Sequence, residues 1–422
     1  MKKVYLLIVL LTGGLIVSAQ DLDDIRKLII LKQYSKGKEE LDKFLSNPSN
    51  GAKADAWYYK AFVYNILSRE ANQSVMQSQN LNREAFTAIK KYKEVDPKEK
   101  LTKEEENSTV FNIYYGFYDL GVKTYNNKDF EQSYSNFSNT LDVHDYITNN
   151  GLIGAKATKF SSLDTDVVFN LVIIGEELKK TDELVPYYKK LIDANLADEK
   201  YLGTYEALVM YYKKAKNQAA FDEYLAKGKN AFPKENFWEA IEIENATDGL
   251  EKEPLFKKYE ELIVKYSNSY VLFFNYGYEL NKFVYSDEPK TGDMSAYKVR
   301  IPDLFKKAIA IKSTVEANML LANFYYNNSY DLTDEAKKIK GTKPEDVKKR
   351  QDLNNASRAS LNMSVPVAEE ATRLYAAMPK LKGSDKVNYK QALDILSVVY
   401  KLNGDAKKGE EYEKRKAEVD KL

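Results

Sequence analysis

One stretch, residues 117–141, constrains this chain more than any other. Phe117, Leu120, Gly121 and Tyr125 recur at three- and four-residue spacing, the period of a helix with one apolar face. Asn127-Lys128-Asp129 breaks the pattern as a turn, and Phe130, Ser133, Phe137 and Leu141 resume it on a second helix. Two helices joined this tightly lie antiparallel and pack on each other. Gly121 and Ser133 are small where the pair would cross, so the backbones can approach while aromatic rings fill the gaps around them. Few segments of the chain are amphipathic enough to stand alone, and stacking one pair on the next would bury them.

The arrangement recurs. Trp57, Ala61 and Tyr64 match a first helix, and Ala85, Ile89 and Pro97 its second, once about 12 extra residues near 69–80 are allowed. Tyr205, Leu208, Tyr212, Leu225, Gly228 and Pro233 fit without any insertion. Leu321, Ala322, Tyr325 and Tyr326 supply another first helix. Leu393, Leu396, Ser397, Tyr400, Asn403-Gly404-Asp405 and Gly409 supply the last pair, and Tyr34, Gly37, Leu41 and Leu45 the second helix of a shortened first unit. Fainter units lie at 167–195, 237–266 and 273–311, making about nine helix pairs. This pattern of a bulky residue, Leu-Gly, Tyr, a later small residue and a closing Pro resembles the tetratricopeptide repeat (TPR) over nearly the whole chain. The resemblance implies an all-α fold, a right-handed α-solenoid of antiparallel helix pairs with helical insertions.

Extra sequence separates first from second helices around 66–84, 281–300 and 328–364. The last of these, with Lys343-Pro344 and the charged run 345–350, predicts an additional helix or an extended hairpin, because structureless loops of that length are uncommon. Two arrays are expected, 20–235 and 236–422. The block 320–422 is similar to the C-terminal part of exported tetratricopeptide proteins of Bacteroidota. Ala322-Asn323-Phe324-Tyr325-Tyr326-Asn327-Asn328, the long insertion and Tyr400-Lys401-Leu402-Asn403-Gly404-Asp405 carry that similarity.

The opening residues read as an address. Met1-Lys2-Lys3 is basic, residues 4–17 carry no charge, and Val17-Ser18-Ala19 suits a signal peptidase. Fourteen residues interrupted by Gly13-Gly14 fall short of the roughly 20 that span a bilayer. A signal peptide at 1–19 is expected, with cleavage after Ala19. Since the chain has no cysteine, no lipid can be attached behind that segment. The expected product is periplasmic and unlipidated, without a later membrane span, and held at the outer membrane only through partners.

Composition narrows the chemistry. Zero Cys removes disulfides, thiolate metal sites and cysteine nucleophiles, and one His, His144, cannot build a multi-histidine site. With 64 Lys+Arg against 63 Asp+Glu there is no global charge to draw nucleic acid. The chain therefore reads as non-catalytic, with neither cofactor nor metal. His144 reads as a loop or surface residue. Asp164 or Thr165 reads as the N-cap of a helix beginning near Val167 rather than as a cation ligand. The segment from Gly404 to Gly409 lacks the Gly-Lys-Ser/Thr ending of a phosphate loop. Glu104-Glu105-Glu106, Glu410-Glu411 and Lys348-Lys349-Arg350 read as solvated helix faces or ends.

In tetratricopeptide proteins the first helices line the concave groove. Carried onto this chain, that resemblance points to Tyr58 and Phe62, Tyr118 and Val122, Glu206 and Met210, Phe274 and Tyr278, and Met319 and Asn323 as partner-binding positions. Rings there would suit a peptide or helix with apolar anchors; alternatively, they pack against a neighbouring repeat. The aromatic early repeats do not support a Lys/Asn clamp for a partner's C-terminal carboxylate. The function expected is a protein-protein interaction scaffold or adaptor of the cell envelope, possible settings including outer-membrane or secretion assembly. The alternative is a glycan- or peptide-binding component of a nutrient-uptake system.

Overall fold

In all five pairs closed by a three-residue turn, that turn has the same conformation. These are α1 (Leu22–Ile30) with α2 (Tyr34–Leu45), α6 (Ser108–Asn126) with α7 (Phe130–Asn149), α8 (Thr165–Glu177) with α9 (Thr181–Asp193), α10 (Leu202–Lys214) with α11 (Gln218–Ala231), and α18 (Gly383–Leu402) with α19 (Ala406–Glu418). The middle turn residue is left-handed each time: Lys32, Lys128, Lys179, Lys216 and Gly404 have φ of 58°, 61°, 57°, 54° and 87°. The next N–H then reaches back to cap the first helix, as from Asp129 to the Thr124 carbonyl at 2.9 Å and from Asp405 to that of Tyr400 at 2.9 Å. Asp129, Asn217 and Asp405 also accept a backbone N–H from the second helix, so one residue ends one helix and starts the other.

The computed structural model describes residues 21–421, so the export segment expected at 1–19 lies outside the described residues. Four further pairs have other connections: α3 (Ala54–Ser68) with α4 (Val75–Val95), α12 (Phe237–Thr247) with α13 (Lys252–Lys265), α14 (Tyr270–Tyr285) with α15 (Met294–Ile311), and α16 (Val315–Lys338) with α17 (Pro344–Ala376). A single turn, α5 (Lys100–Glu104), lies between α4 and α6. No strand occurs among the described residues, and the fold is all-α, built of helix pairs. The chain divides into two compact units, one ending at Lys234 and the other beginning at Glu235. The first holds five pairs and the second four.

Small residues allow the pairs to close. A Cβ on Gly121 would stand 3.0 Å from the Phe137 ring, and Ser133 Oγ donates to the Gly121 carbonyl at 2.8 Å. A Cβ on Gly277 of α14 would stand 3.0 Å from the Phe305 ring of α15, one on Gly175 of α8 would clash with Leu184 of α9, and one on Gly409 of α19 would stand 2.9 Å from the Ser397 carbonyl of α18. In α16–α17 serines replace glycine: Ser360 donates to the Tyr325 carbonyl and Ser357 to that of Ser329, both at 2.8 Å. Phe117, Phe137, Phe273 and Phe305 are consequently fully buried. Tyr125, read as part of the same packing face, is exposed and only meets Phe130 at 5.7 Å between ring centroids.

The inserted sequence lengthens the pairs. Residues beyond Ser74, which closes a capping box with Gln77, extend α4 to 21 residues. The 328–364 segment is an extended hairpin, α16 of 24 and α17 of 33 residues, rather than an additional helix. Arg350 Nη1 donates to the Ile339 carbonyl at 2.9 Å across its tip, so this member of the basic cluster is tied down rather than solvated.

Two substitutions test this packing. Gly121→Val is expected to lower unfolding stability by about 1–3 kcal/mol, since the added methyls meet a ring that has nowhere to go. Lys128→Gly is expected to raise it by about 1 kcal/mol by relieving a left-handed side-chain residue. Urea unfolding followed by hydrogen exchange at α6 and α7 checks both.

Candidate partner-binding site

Helix α14 is capped by Ser269, whose hydroxyl oxygen accepts the Leu272 N–H at 3.1 Å. It buries Leu272, Phe273, Tyr276, Gly277 and Leu280 in the second unit's core. The adjoining face therefore carries Phe274, Asn275, Tyr278 and Glu279, spaced one turn apart. Helix α16, capped by Thr314, presents Glu316, Met319, Leu320 and Asn323 at positions i, i+3, i+4 and i+7. These two faces line one cleft of about 550 Å³ together with Tyr259 of α13, Tyr375 of α17, and Asp385 and Asn388 of α18.

The walls are held from behind. Tyr259 stacks on Tyr276 with centroids 5.1 Å apart, Tyr270 on Phe274 at 5.5 Å, and Tyr375 on Tyr389 at 5.3 Å. The hydroxyls of Tyr270 and Thr314 meet at 2.7 Å, tying the start of α14 to the cap of α16. Tyr278 is 43% exposed and free to contact an occupant, whereas Met319 at 5% forms the floor.

Three carboxylates, three amides and four aromatic rings line the cleft, and no lysine or arginine does. Burial, then the Glu279 carboxylate, pushes the Tyr259 phenol up to about 12. Burial does the same for Tyr375, where Glu316 and Asp385 add to the shift and the Asn388 hydrogen bond opposes it. The carboxylates thus act electrostatically on the rings beside them.

Of the ten positions read from sequence, Phe274, Tyr278, Met319 and Asn323 converge here. The other six, all in the first unit, are not among the residues of this cleft. Tyr58 lies against Tyr92 at 5.8 Å, and Phe62 against Tyr34 at 6.5 Å, so both are engaged in packing between helices. Burial, followed by the Glu105 carboxylate, raises the Tyr58 phenol far above its usual range. Tyr118 leans on Phe137 at 5.6 Å, Glu206 is half-buried, and Val122 and Met210 are exposed. Sequence reading missed Asn275, Glu279 and Leu320, although each directly follows a predicted position on α14 or α16, and Glu316, one turn before Met319. Tyr259, Tyr375, Asp385 and Asn388 come from other helices and carry no local signal.

Three further expectations resolve here. Asp164 is the N-cap of α8, accepting the Val167 N–H at 3.1 Å and the Tyr114 hydroxyl at 2.5 Å. His144 is not a loop or surface residue. It is buried within α7, with Nε2 2.9 Å from the Ser161 carbonyl and its ring stacked on Phe160 at 5.6 Å. Glu105 is likewise half-buried rather than solvated. Its carboxylate accepts the Thr109 N–H at 3.1 Å, and burial raises its pKa.

The two tyrosines make a pH prediction. Their folded pKa values of about 12 exceed the ordinary 10.0, so the associated stability is complete below pH 10 and is lost as pH rises from there through about 12. Unfolding measured at pH 9 and 11.5 is expected to show a smaller loss for Tyr259→Phe/Tyr375→Phe than for the wild type.

No protein-family model and no curated protein sequence matches the chain. Among solved structures it is similar to a TPR repeats protein from Bacteroides fragilis, at 16% identity over 66% of this chain and 97% of that one, with a TM-score of 0.30. It is also similar to yeast Tom70, at 10% identity over 94% and 91%, with a TM-score of 0.25. Overlays this loose add nothing to the chain's own helix pairing, which by itself has the tetratricopeptide-like arrangement of small residues under bulky ones.

Proposed function

We propose that this chain is an exported, non-catalytic interaction scaffold, of the kind found among tetratricopeptide proteins of Bacteroidota, and that the second unit's cleft docks a protein partner in the cell envelope. The observation that carries this reading is the convergence of Phe274, Tyr278, Met319 and Asn323 on one cleft. Rings immobilised by stacking offer contact area at little cost in conformational entropy, and the cleft's volume lies in the range of ligand sites. The basic start and uncharged residues 4–17 support export, and the absence of cysteine supports an unlipidated periplasmic product. Secretion or outer-membrane assembly is a setting in which such a scaffold would act.

A photo-crosslinking residue in place of Tyr278, in cells expressing the full chain, tests the reading. It is expected to capture a discrete envelope protein that the same residue in place of Val264, exposed on α13 and not among the cleft residues, does not capture. Recovery of the chain in the cytoplasmic fraction, or identical products from both positions, would sink it.

A further inference from the structure

The cleft's charge is one-sided, and the fold does not explain all of it. Asp385 has a structural task, since Oδ2 accepts the Lys382 N–H at 2.8 Å in the first turn of α18. Glu316 lies in the first turn of α16, where the helix dipole favours a carboxylate. Glu279 is ten residues into α14, where neither terminus favours it. Neither Glu279 nor Glu316 has an ion pair among the described residues. Elsewhere carboxylates are commonly matched: Glu260 holds Arg300 at 2.9 Å and Asp331 holds Lys298 at 2.7 Å in this same unit.

Resting on the reading of this cleft as the docking site, we propose that it receives an arginine or lysine side chain from an extended segment of the partner protein. Glu279, Glu316 and Asp385 supply the countercharge, and the rings of Phe274 and Tyr278 flank the cation. The rings act in the same direction as the carboxylates, because an aromatic face attracts a cation. Among the described residues no group of acidic side chains converges closely enough to hold a metal ion, so the charge arrives on an organic cation that spans the cleft. A neutral glycan would cover the carboxylates without compensating them, and covering an uncompensated charge is costly. Tyr259 and Glu279 also line a second cleft, of about 430 Å³, whose other walls include Asp248, Glu251 and Glu288. Lys252, 3.1 Å from Glu288, and Lys282, one turn beyond Glu279 on α14, also line it, as does Glu244, so five carboxylates face two lysines and the balance stays acidic. A segment with more than one basic residue would find countercharge in both clefts.

Fluorescence anisotropy of the full chain with a labelled decapeptide of alternating arginine and glycine tests this. Glu279→Gln/Glu316→Gln/Asp385→Asn is expected to weaken binding at least tenfold. Glu131→Gln/Glu177→Gln/Glu199→Gln, which removes as many exposed charges from the first unit, is expected to change it less than twofold. Circular dichroism melting confirms that both variants fold, and Tyr278→Ala, which leaves the charge intact, is expected to weaken binding several-fold. Equal weakening by the two triple variants would reduce the effect to general charge and overturn the proposal. So would binding of maltoheptaose in place of the peptide, or binding of neither probe. A partner crosslinked through Tyr278 with no affinity for the arginine peptide would overturn this inference alone and leave the docking role standing.

Discussion

Everything in this fold depends on how closely two helices of a pair can approach. Where Gly121 lies under Phe137, or Gly277 under Phe305, the missing side chain on one helix makes room for a ring from the other. The ring is fully buried, and the helices are locked in register as well as in distance. In α16–α17 the same closeness is reached with serines, whose hydroxyls satisfy themselves on the facing helix's carbonyls. A buried hydroxyl is tolerated there because its partner is always within reach.

That contact also decides what remains outside. Once α14 commits Phe273, Tyr276 and Gly277 to the core, its geometry leaves Phe274, Tyr278 and Glu279 on the adjoining face. Tyr270 and Tyr276 then brace the cleft from behind by stacking on Phe274 and Tyr259. The abundant tyrosines thus do two jobs. Some seal pairs, and others present a rigid, partly polar wall whose negative potential comes from carboxylates on α14, α16 and α18.

Legibility from sequence followed the range of the interactions concerned. Helix pairing was readable because its determinants, Gly121, Ser133 and the turn at Asn127-Lys128-Asp129, lie within one repeat length. The left-handed turn was only half visible: glycine signals it at Gly404, but lysine occupies the same conformation at four other turns and carries no such signal. His144 was misjudged because the helix pattern read from sequence stops at Leu141, whereas α7 runs on to Asn149 and Phe160 and the Ser161 carbonyl, beyond its end, cover the imidazole. Tyr58 and Phe62 look equivalent to Phe274 and Tyr278 by repeat position. They differ in their surroundings: Tyr34, Tyr92 and Glu105 meet them in the first unit, whereas Phe274, though stacked on Tyr270, lines a cleft and Tyr278 is exposed in the second.

The sequence by itself determined the helices, their pairing and the residues at which each pair closes, because spacing, size and turn chemistry are local properties. It also excluded cysteine nucleophiles, thiolate ligands and multi-histidine metal sites, since the chain has no cysteine and one histidine. Only the tertiary structure decided which of the repeated aromatic positions stay open, and that three carboxylates from three helices line the same cleft. Glu279, Glu316 and Asp385 are separated by tens of residues along the chain. No periodicity relates them, and the packing of α14, α16 and α18 alone brings their charges to one place.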